Sequence, residues 1–390
     1  MQLTLLADDT LRPRVPRYTL HLLSAKRRQV IHSFEMPYLE TVTSLKVMDL
    51  EISEHTHEQK PMIVVGTAAQ RGEDMSAKGA VNVFEILEVV PEPDRPESQY
   101  KLHLLSRDET RGAVTVVESF PGGLIGTGQG QKIMIRGLKE DGSCLPVAFL
   151  DAQCYTTQLR TFARSGLFLA GDAAKGLWFG GFTEEPYKLS VLGKSRTHME
   201  VVAAEFLPFD GQLFLLIMDA EMDLHVLQYD PENPKSLTRT RLLHRSTIHV
   251  GHFPSGMKLV PSTLTPLSQQ PAAKGDATQP STLNQVLTSS TSGSVGLIVP
   301  LNEASYRRLG SIQAHLTSVL EHAAGLNPRA YRAVGSEGLG SRGIIDGSLV
   351  QRISELGSAR RSEVLGRAVA DAWAMRSDLE VVGGGGLGYL

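Results

Sequence analysis

Much of what marks an enzyme or a membrane protein is missing from this sequence. Only two cysteines, Cys144 and Cys154, occur in 390 residues, and there is no Cys-x-x-Cys pair. Two thiols cannot build a zinc site alone, and their scarcity fits a reducing compartment. No run of 18 apolar residues is present, so no segment has the length of a membrane-spanning helix. The opening, MQLTLLADDTLRPR, carries acids where a secretory signal needs an apolar core. There is no Gly-x-Ser-x-Gly, no His-Glu-x-x-His and no phosphate-binding loop motif. Net charge is -3, which excludes a global basic field able to hold a nucleic-acid backbone. The densest basic stretch, Arg12, Arg14, Arg17 and Lys26-Arg27-Arg28, reads as a solvated face or chain start rather than a binding patch.

What the sequence does contain is a repeating order of short β-type runs up to about residue 250. Pro61–Thr67 precedes the strand-like Gly79–Ile86, and Tyr100–Leu105 follows. The pattern returns as Leu124–Thr127 before Gln131–Arg136, Leu167–Ala170 before Gly176–Phe179, and Phe214–Met218 before Leu224–Tyr229. A last pair, Val286–Thr288 and Ser294–Val299, follows an insertion. The third strand of each unit thus begins near residues 81, 132, 177 and 224. Steps of about 45 to 50 residues are the blade period of a β-propeller with four strands per blade. The Trp-Asp dipeptide of common propeller repeats is absent, so this WD40-like reading rests on period and strand order.

The stretch GGLIGTGQGQKIMIRGL, Gly122–Leu138, could suggest a dinucleotide loop. Such a loop needs a helix after its glycines, and here a strand-like segment follows at once. Gly126, Gly128 and Gly130 are therefore expected to form a turn needing positive φ. Residues 254–285, rich in Pro, Ser, Thr and Gln, are expected to be a disordered insertion within a blade. From Asn302 the period becomes helical, with Tyr306, Leu309, Ile312, Leu316, Val319 and Leu320 on one stripe. Asn327-Pro328 fits an N-cap followed by a first-turn proline. Asp346 or Gly347 starts another helix, and Ser358 caps a third carrying Val364, Leu365, Val369 and Trp373. The expected domains are blades over 1–253, the insertion 254–285, last propeller strands over 286–301, a helical domain over 302–378 and a flexible tail over 379–390. The fold class is mainly β, a propeller followed by a small α-helical domain.

Candidate chemistry is sparse. His55 and His57 share a polar loop, and His244, His249 and His252 lie close in sequence without an adjacent acid or cysteine. Neither set has the ligands of a metal site. Asp172 and Asp219 each follow an apolar strand, where an aspartate accepts backbone N–H groups and fixes the hairpin. No catalytic, cofactor or metal residue is assigned, and the chain reads as a non-enzyme.

Three segments carry a family resemblance. They are Leu167–Leu189 (LFLAGDAAKGLWFGGFTEEPYKL), Val147–Gln158 (VAFLDAQCYTTQ) and His322–Arg332 (HAAGLNPRAYR) with Ile345–Val350 after it. They resemble the family of the 160-kDa subunit of the cleavage and polyadenylation specificity factor. That family belongs to a superfamily shared with the large UV-damaged DNA-binding subunit and a splicing factor 3b propeller subunit. TEEPYKL and the GGGGLGYL end are similar to fungal members. The resemblance covers nearly the whole chain outside the insertion but only the C-terminal portion of a longer family. It implies an incomplete third propeller plus the helical domain. The glycine-rich Gly335–Gly343 and the missing acidic C-terminus depart from the pattern.

The resemblance implies a nuclear scaffold of pre-mRNA 3′-end processing, without cofactor, membrane or small-molecule substrate. Its implied partners are WD40-repeat and zinc-finger subunits that read the poly(A) signal, the endonuclease and poly(A) polymerase. Contact with pre-mRNA would be mostly indirect. Other readings are a paralogous scaffold in DNA repair, as a ubiquitin ligase adaptor, or in splicing, and direct RNA recognition. The residues expected at a protein interface are Asn327, Pro328, Arg329, Tyr331, Arg332 and Asp346. Tyr331 would be an apolar anchor, and Arg329 and Arg332 would meet carboxylates in an inter-propeller groove. Arg332→Glu would then weaken subunit recovery without lowering thermal stability. Equally, these residues would only cap and pack the helical module.

Overall fold

Strands rich in valine, isoleucine and leucine, apolar on both faces, demand cover on both sides, and the chain provides it by packing sheet on sheet. A computed structural model describes residues 16–53, 55–91, 99–163, 165–261, 284–322, 325–334, 343–367 and 372–383. The chain divides into two compact units, Met1–Glu200 and Val201–Leu390. The fold is mainly β, with five propeller blades and a few short helices.

The first unit begins with a two-stranded sheet, β1 (Thr19–Leu23) and β2 (Val30–Glu35). Three four-stranded antiparallel blades follow. Blade one is β3 (Glu40–Glu51), β4 (Gln59–Ala69), β5 (Lys78–Glu88) and β6 (Tyr100–Thr110). Blade two is β7 (Val114–Phe120), β8 (Leu124–Gln129), β9 (Lys132–Leu138) and β10 (Cys144–Asp151). Blade three is β11 (Thr156–Thr161), β12 (Leu167–Asp172), β13 (Gly176–Glu184) and β14 (Tyr187–Lys194). The second unit has blade four, β15 (Val201–Phe209), β16 (Gln212–Asp219), β17 (Asp223–Gln228) and β18 (Leu243–His249). Blade five is β19 (Pro254–Pro261), β20 (Asn284–Ser290) and β21 (Val295–Ile298). The third strands start at Lys78, Lys132, Gly176 and Asp223, close to the positions the period indicates.

Blades are held face to face by apolar side chains. Met48, Leu50, Met62, Val64, Val81 and Val83 of blade one pack against Val114, Val117, Ile125 and Leu138 of blade two. Phe120, Ile133 and Ile135 of blade two meet Leu159, Phe168, Trp178 and Phe182 of blade three. In the second unit Ala203, Leu207, Leu216 and Met218 pack with Met257 and Val286. Each fully buried side chain of this size contributes roughly 1.5–3 kcal/mol.

The innermost strand of every blade carries a bulge at the same place. Register shifts fall between Val42 and Ser44, Val114 and Val116, Thr156 and Gln158, Val201 and Ala203, and Pro254 and Gly256. A bulge turns one residue out of the ladder and re-aims it. In blade one that residue is Thr43, whose hydroxyl donates to the Val114 carbonyl of the next blade. In blade two it is Thr115, with Oγ1 2.6 Å from the Thr156 carbonyl. The same hydroxyl thus clasps blade one to blade two and blade two to blade three.

The glycine run departs from the expectation of one turn. Of Gly126, Gly128 and Gly130, only Gly130, at φ 56°, occupies a left-handed turn, between β8 and β9. Gly126 and Gly128 lie inside β8. Their role is close approach, since a Cβ on Gly126 would stand 2.3 Å from the Phe120 ring. Sequence shows that glycine is required there but not which constraint requires it.

Pro254–Pro261 forms β19, so the first part of the expected insertion is ordered strand. Residues 262–283 lie outside the described residues. After blade five come helices Glu303–Val319, Pro328–Tyr331, Gly347–Gln351, Ser358–Arg367 and Ala372–Val382. Their shared core is Leu309, Ile312, Leu316, Val350, Ile353, Leu356, Val364 and Met375. Ser358 stands inside its helix rather than before it, and Trp373 belongs to the next helix, 66% exposed. Val369 and residues 384–390 lie outside the described residues, while Leu379–Val382 of the expected tail is helical. Among the described residues no helix is long and apolar enough to cross a membrane.

Candidate protein-interaction surface

The six candidate residues fall in one turn and at the next helix start, and their chemistry divides them. Asn327 is a working N-cap, with Oδ1 accepting from the Arg329 N–H at 2.9 Å. Pro328 follows at the first helical position, where its missing N–H costs nothing, and its ring is buried. Asp346 caps Gly347–Gln351, its Oδ1 accepting from the N–H groups of Ser348 at 3.1 Å and Leu349 at 3.3 Å. Its own N–H donates to Gln313 Oε1 at 2.8 Å, tying the cap to the long helix Glu303–Val319.

Arg332 is spent within the chain. Its Nε donates to Asp346 Oδ2 at 2.9 Å. Its Nη1 donates to the His249 carbonyl at 3.0 Å and the Val250 carbonyl at 2.7 Å. The Arg332 carbonyl in turn accepts the His249 N–H at 3.2 Å. One guanidinium thus joins the end of β18 to the start of Gly347–Gln351 through three hydrogen bonds, one of them the ion pair with Asp346, from its place at the end of Pro328–Tyr331. Pro328, Arg329, Arg332 and Asp346 line a cleft of about 110 Å³ with Gln313 and Ile344. That is well short of the several hundred Å³ usual for a small-molecule site.

Three of the six stay at the surface, and of these Asn327 has its side-chain oxygen taken by the cap. Arg329 is exposed, and Tyr331 is 40% exposed with its ring 5.3 Å under the Arg332 guanidinium. Leu326, which sequence reasoning did not single out, is 58% exposed beside them. The surface is therefore two apolar side chains and one cation on a turn whose backbone is fixed by Asn327, Pro328 and Arg332.

The histidines and aspartates resolve differently. His57 sits in an exposed loop with Nδ1 2.9 Å from Glu51 Oε1. Asp172 Oδ1 accepts from the N–H groups of Ala174 and Lys175 at 2.9 Å each. Asp219 Oδ1 does the same for Glu221 at 3.0 Å and Asp223 at 2.9 Å. Both aspartates fix hairpins, as their position after a strand suggests. Sequence reasoning missed the acids beside the His244–His252 run, because they come from the neighbouring strand. Asp223 Oδ1 lies 2.7 Å from His249 Nδ1, and Asp219 Oδ2 lies 2.9 Å from His225 Nε2. Asp219, Asp223 and His225 stand close enough to share a cation, but these hydrogen bonds alone account for their placement. The thiol of Cys144 is pushed above the usual range by burial, with the Ser106 hydroxyl opposing.

The family model described as the CPSF A subunit region matches residues 17–355. The chain belongs to the CPSF A subunit family. The resemblance read from HAAGLNPRAYR and the blade segments is thereby borne out. Curated relatives named Protein cft1 are similar throughout. The one from Aspergillus fumigatus is 48% identical over 97% of this chain and 27% of its own length. That from Coccidioides immitis is 47% identical over 96% of this chain and 27% of its own length. The Schizosaccharomyces pombe protein is 34% identical over 95% of this chain and 26% of its own length. The chain thus spans about a quarter of the relatives it matches.

Proposed function

We propose that this chain is part of a non-enzymatic scaffold subunit of nuclear pre-mRNA cleavage and polyadenylation. The observation that carries the reading is the family match over residues 17–355, which takes in the blades and the helical turn together. A propeller suits such work, because rigid blades present edges and loops while binding energy concentrates in a few anchors. The partners in this reading are the poly(A)-signal-reading subunits, the endonuclease and poly(A) polymerase. RNA contact is mostly indirect, in keeping with a net charge of -3. Within the helical segment, Leu326 and Tyr331 are the apolar anchors and Arg329 meets a carboxylate of the partner surface.

The test is affinity recovery from nuclear extract with the tagged protein, with and without nuclease, read by mass spectrometry. Recovery of polyadenylation subunits despite nuclease is expected. Recovery of repair or splicing factors instead would overturn the reading in favour of a paralogous scaffold, and loss on nuclease treatment would favour RNA as the bridge. Tyr331→Ala with Arg329→Glu is expected to lower recovery at unchanged melting temperature.

A further inference from the structure

Blade four buries two carboxylates to which the described residues bring no lysine or arginine. Asp219 ends β16 and Asp223 opens β17, and each side chain is only 7% exposed. Their ion-pair partners among the described residues are imidazoles alone, His225 for Asp219 and His249 for Asp223. Glu118, Glu40 and Asp378 are about as buried, and they meet the fixed cations Lys46, Arg107 and Arg308. Hydrogen bonds account for where Asp219 and Asp223 stand, but not for their charge. With neutral imidazoles, two negative charges are left out of water, and a buried charge is either paired or held on a metal.

Strand geometry adds a third ligand. Asp223 and His225 are two residues apart on β17, so they share a face. The β16–β17 hairpin returns Asp219 to the same place, with Oδ2 2.9 Å from His225 Nε2. One carboxylate oxygen of each aspartate and one ring nitrogen of His225 lie within 4.8 Å of one another. Ligand atoms about 2.0–2.2 Å from one ion stand at most about 4.4 Å apart, so these three need move little to close on it. Each ligand is also braced from behind. Asp219 Oδ1 accepts from the N–H groups of Glu221 and Asp223, and Asp223 Oδ1 faces His249 Nδ1 at 2.7 Å. His225 Nδ1 lies 3.4 Å from His244 Nε2, which is itself 2.7 Å from Thr247 Oγ1. Such outer partners are what orient the ligands of a metal.

We infer that Asp219, Asp223 and His225 bind one zinc ion, which clamps blade four. Two carboxylates and an imidazole without a thiolate suit zinc and its first-row neighbours, whereas calcium and magnesium take oxygen ligands. A doubly charged cation neutralises both aspartates, and water completes the set while His249 stays on Asp223. The clamp lies on the strands that seat the helical segment. β17 pairs with β18, and the His249 N–H and carbonyl at the end of β18 are both bonded to Arg332. Zinc here would therefore stiffen the strand end on which the Arg332–Asp346 joint rests.

The test uses the purified protein with a tag free of histidine. After chelator treatment and addition of zinc, gel filtration and elemental analysis should recover about one zinc per chain. Cobalt in its place should give the visible absorption of a four-coordinate ion. With free zinc at 100 times its Kd, hydrogen exchange of the β17 amides should slow about 100-fold relative to chelator-treated protein, while β12 stays unchanged. Asp223→Asn and His225→Gln should each lose the zinc and the slowing, and His57→Ala, in an exposed loop, should keep both. Should either variant fail to fold, the parent with and without chelator decides alone. No retained zinc, with equal β17 exchange in zinc and in chelator, would mean that the imidazoles balance the charge with protons and would overturn the inference. Equal zinc in the parent and both variants would mean an adventitious ion only, and would overturn it too.

Discussion

The Arg332 guanidinium holds the Asp346 carboxylate at 2.9 Å, with only 22% and 10% of the two side chains exposed. The pair is a joint between the blade-four strand end and the helical segment. Removing the cation leaves a mostly buried carboxylate and two carbonyls without their donor. Arg332→Ala is expected to destabilise the second unit by about 2–4 kcal/mol. Asp346→Asn keeps the cap acceptor but turns an amide NH2 toward the Arg332 Nε–H, and should cost about 1–3 kcal/mol. Urea titrations followed by circular dichroism check both. Arg332→Glu is expected to melt the helical segment, contrary to the expectation that it spares thermal stability, so it cannot report on docking.

The bulge hydroxyl gives a second test. Thr115 Oγ1 lies 2.6 Å from Thr156 O in the next blade and 3.2 Å from Gly128 O in its own. One proton serves both, and the shorter contact is the one between blades. Thr115→Val keeps the shape and removes the donor, so it should cost about 1 kcal/mol. Thr115→Ser should recover most of that. A valine variant as stable as the parent would show that the clasp adds nothing to the packing around it.

Gly126 offers a test of close approach rather than backbone freedom. Its missing Cβ leaves room for the Phe120 ring, which itself packs at 5.6 Å on Phe182 in the blade-three interface. Gly126→Ala should destabilise by about 1–3 kcal/mol through overpacking. Shortening the ring by Phe120→Leu should make the alanine less costly than in the parent. A thermodynamic cycle over the four proteins measures that coupling.

These relationships differ in how far the sequence discloses them. The blade period was legible, because strand length and turn chemistry are local and repeat. The hairpin role of Asp172 and Asp219 was legible for the same reason, since the N–H groups they accept lie two to four residues away. Arg332 was not, because the carbonyls it binds are 83 and 82 residues earlier. The partners of His249 and His225 were hidden by strand pairing, which places Asp223 opposite His249.

Acid should weaken blade one in a way that depends on Lys60. The Glu85 carboxyl is held below the usual glutamate range, first by the hydrogen bond from Lys60, against a smaller opposing effect of burial, and with help from His103. Lys60 Nζ lies 2.7 Å from Glu85 Oε2, and His103 Nδ1 lies 3.1 Å from Oε1. A carboxyl whose pKa is lower folded than unfolded stabilises the fold above its unfolded pKa, about 4.3 for glutamate. That stabilisation is lost as pH falls through the folded value. Because the Lys60 end of the pair is 40% exposed and screened by solvent, the effect should be below about 1 kcal/mol. Lys60→Met should lower the urea midpoint at pH 7 and flatten its fall between neutral pH and the carboxylate range. Raising salt should shrink the difference between the two proteins, since exposed charges are screened. An equal slope for both would assign the acid sensitivity to other carboxylates.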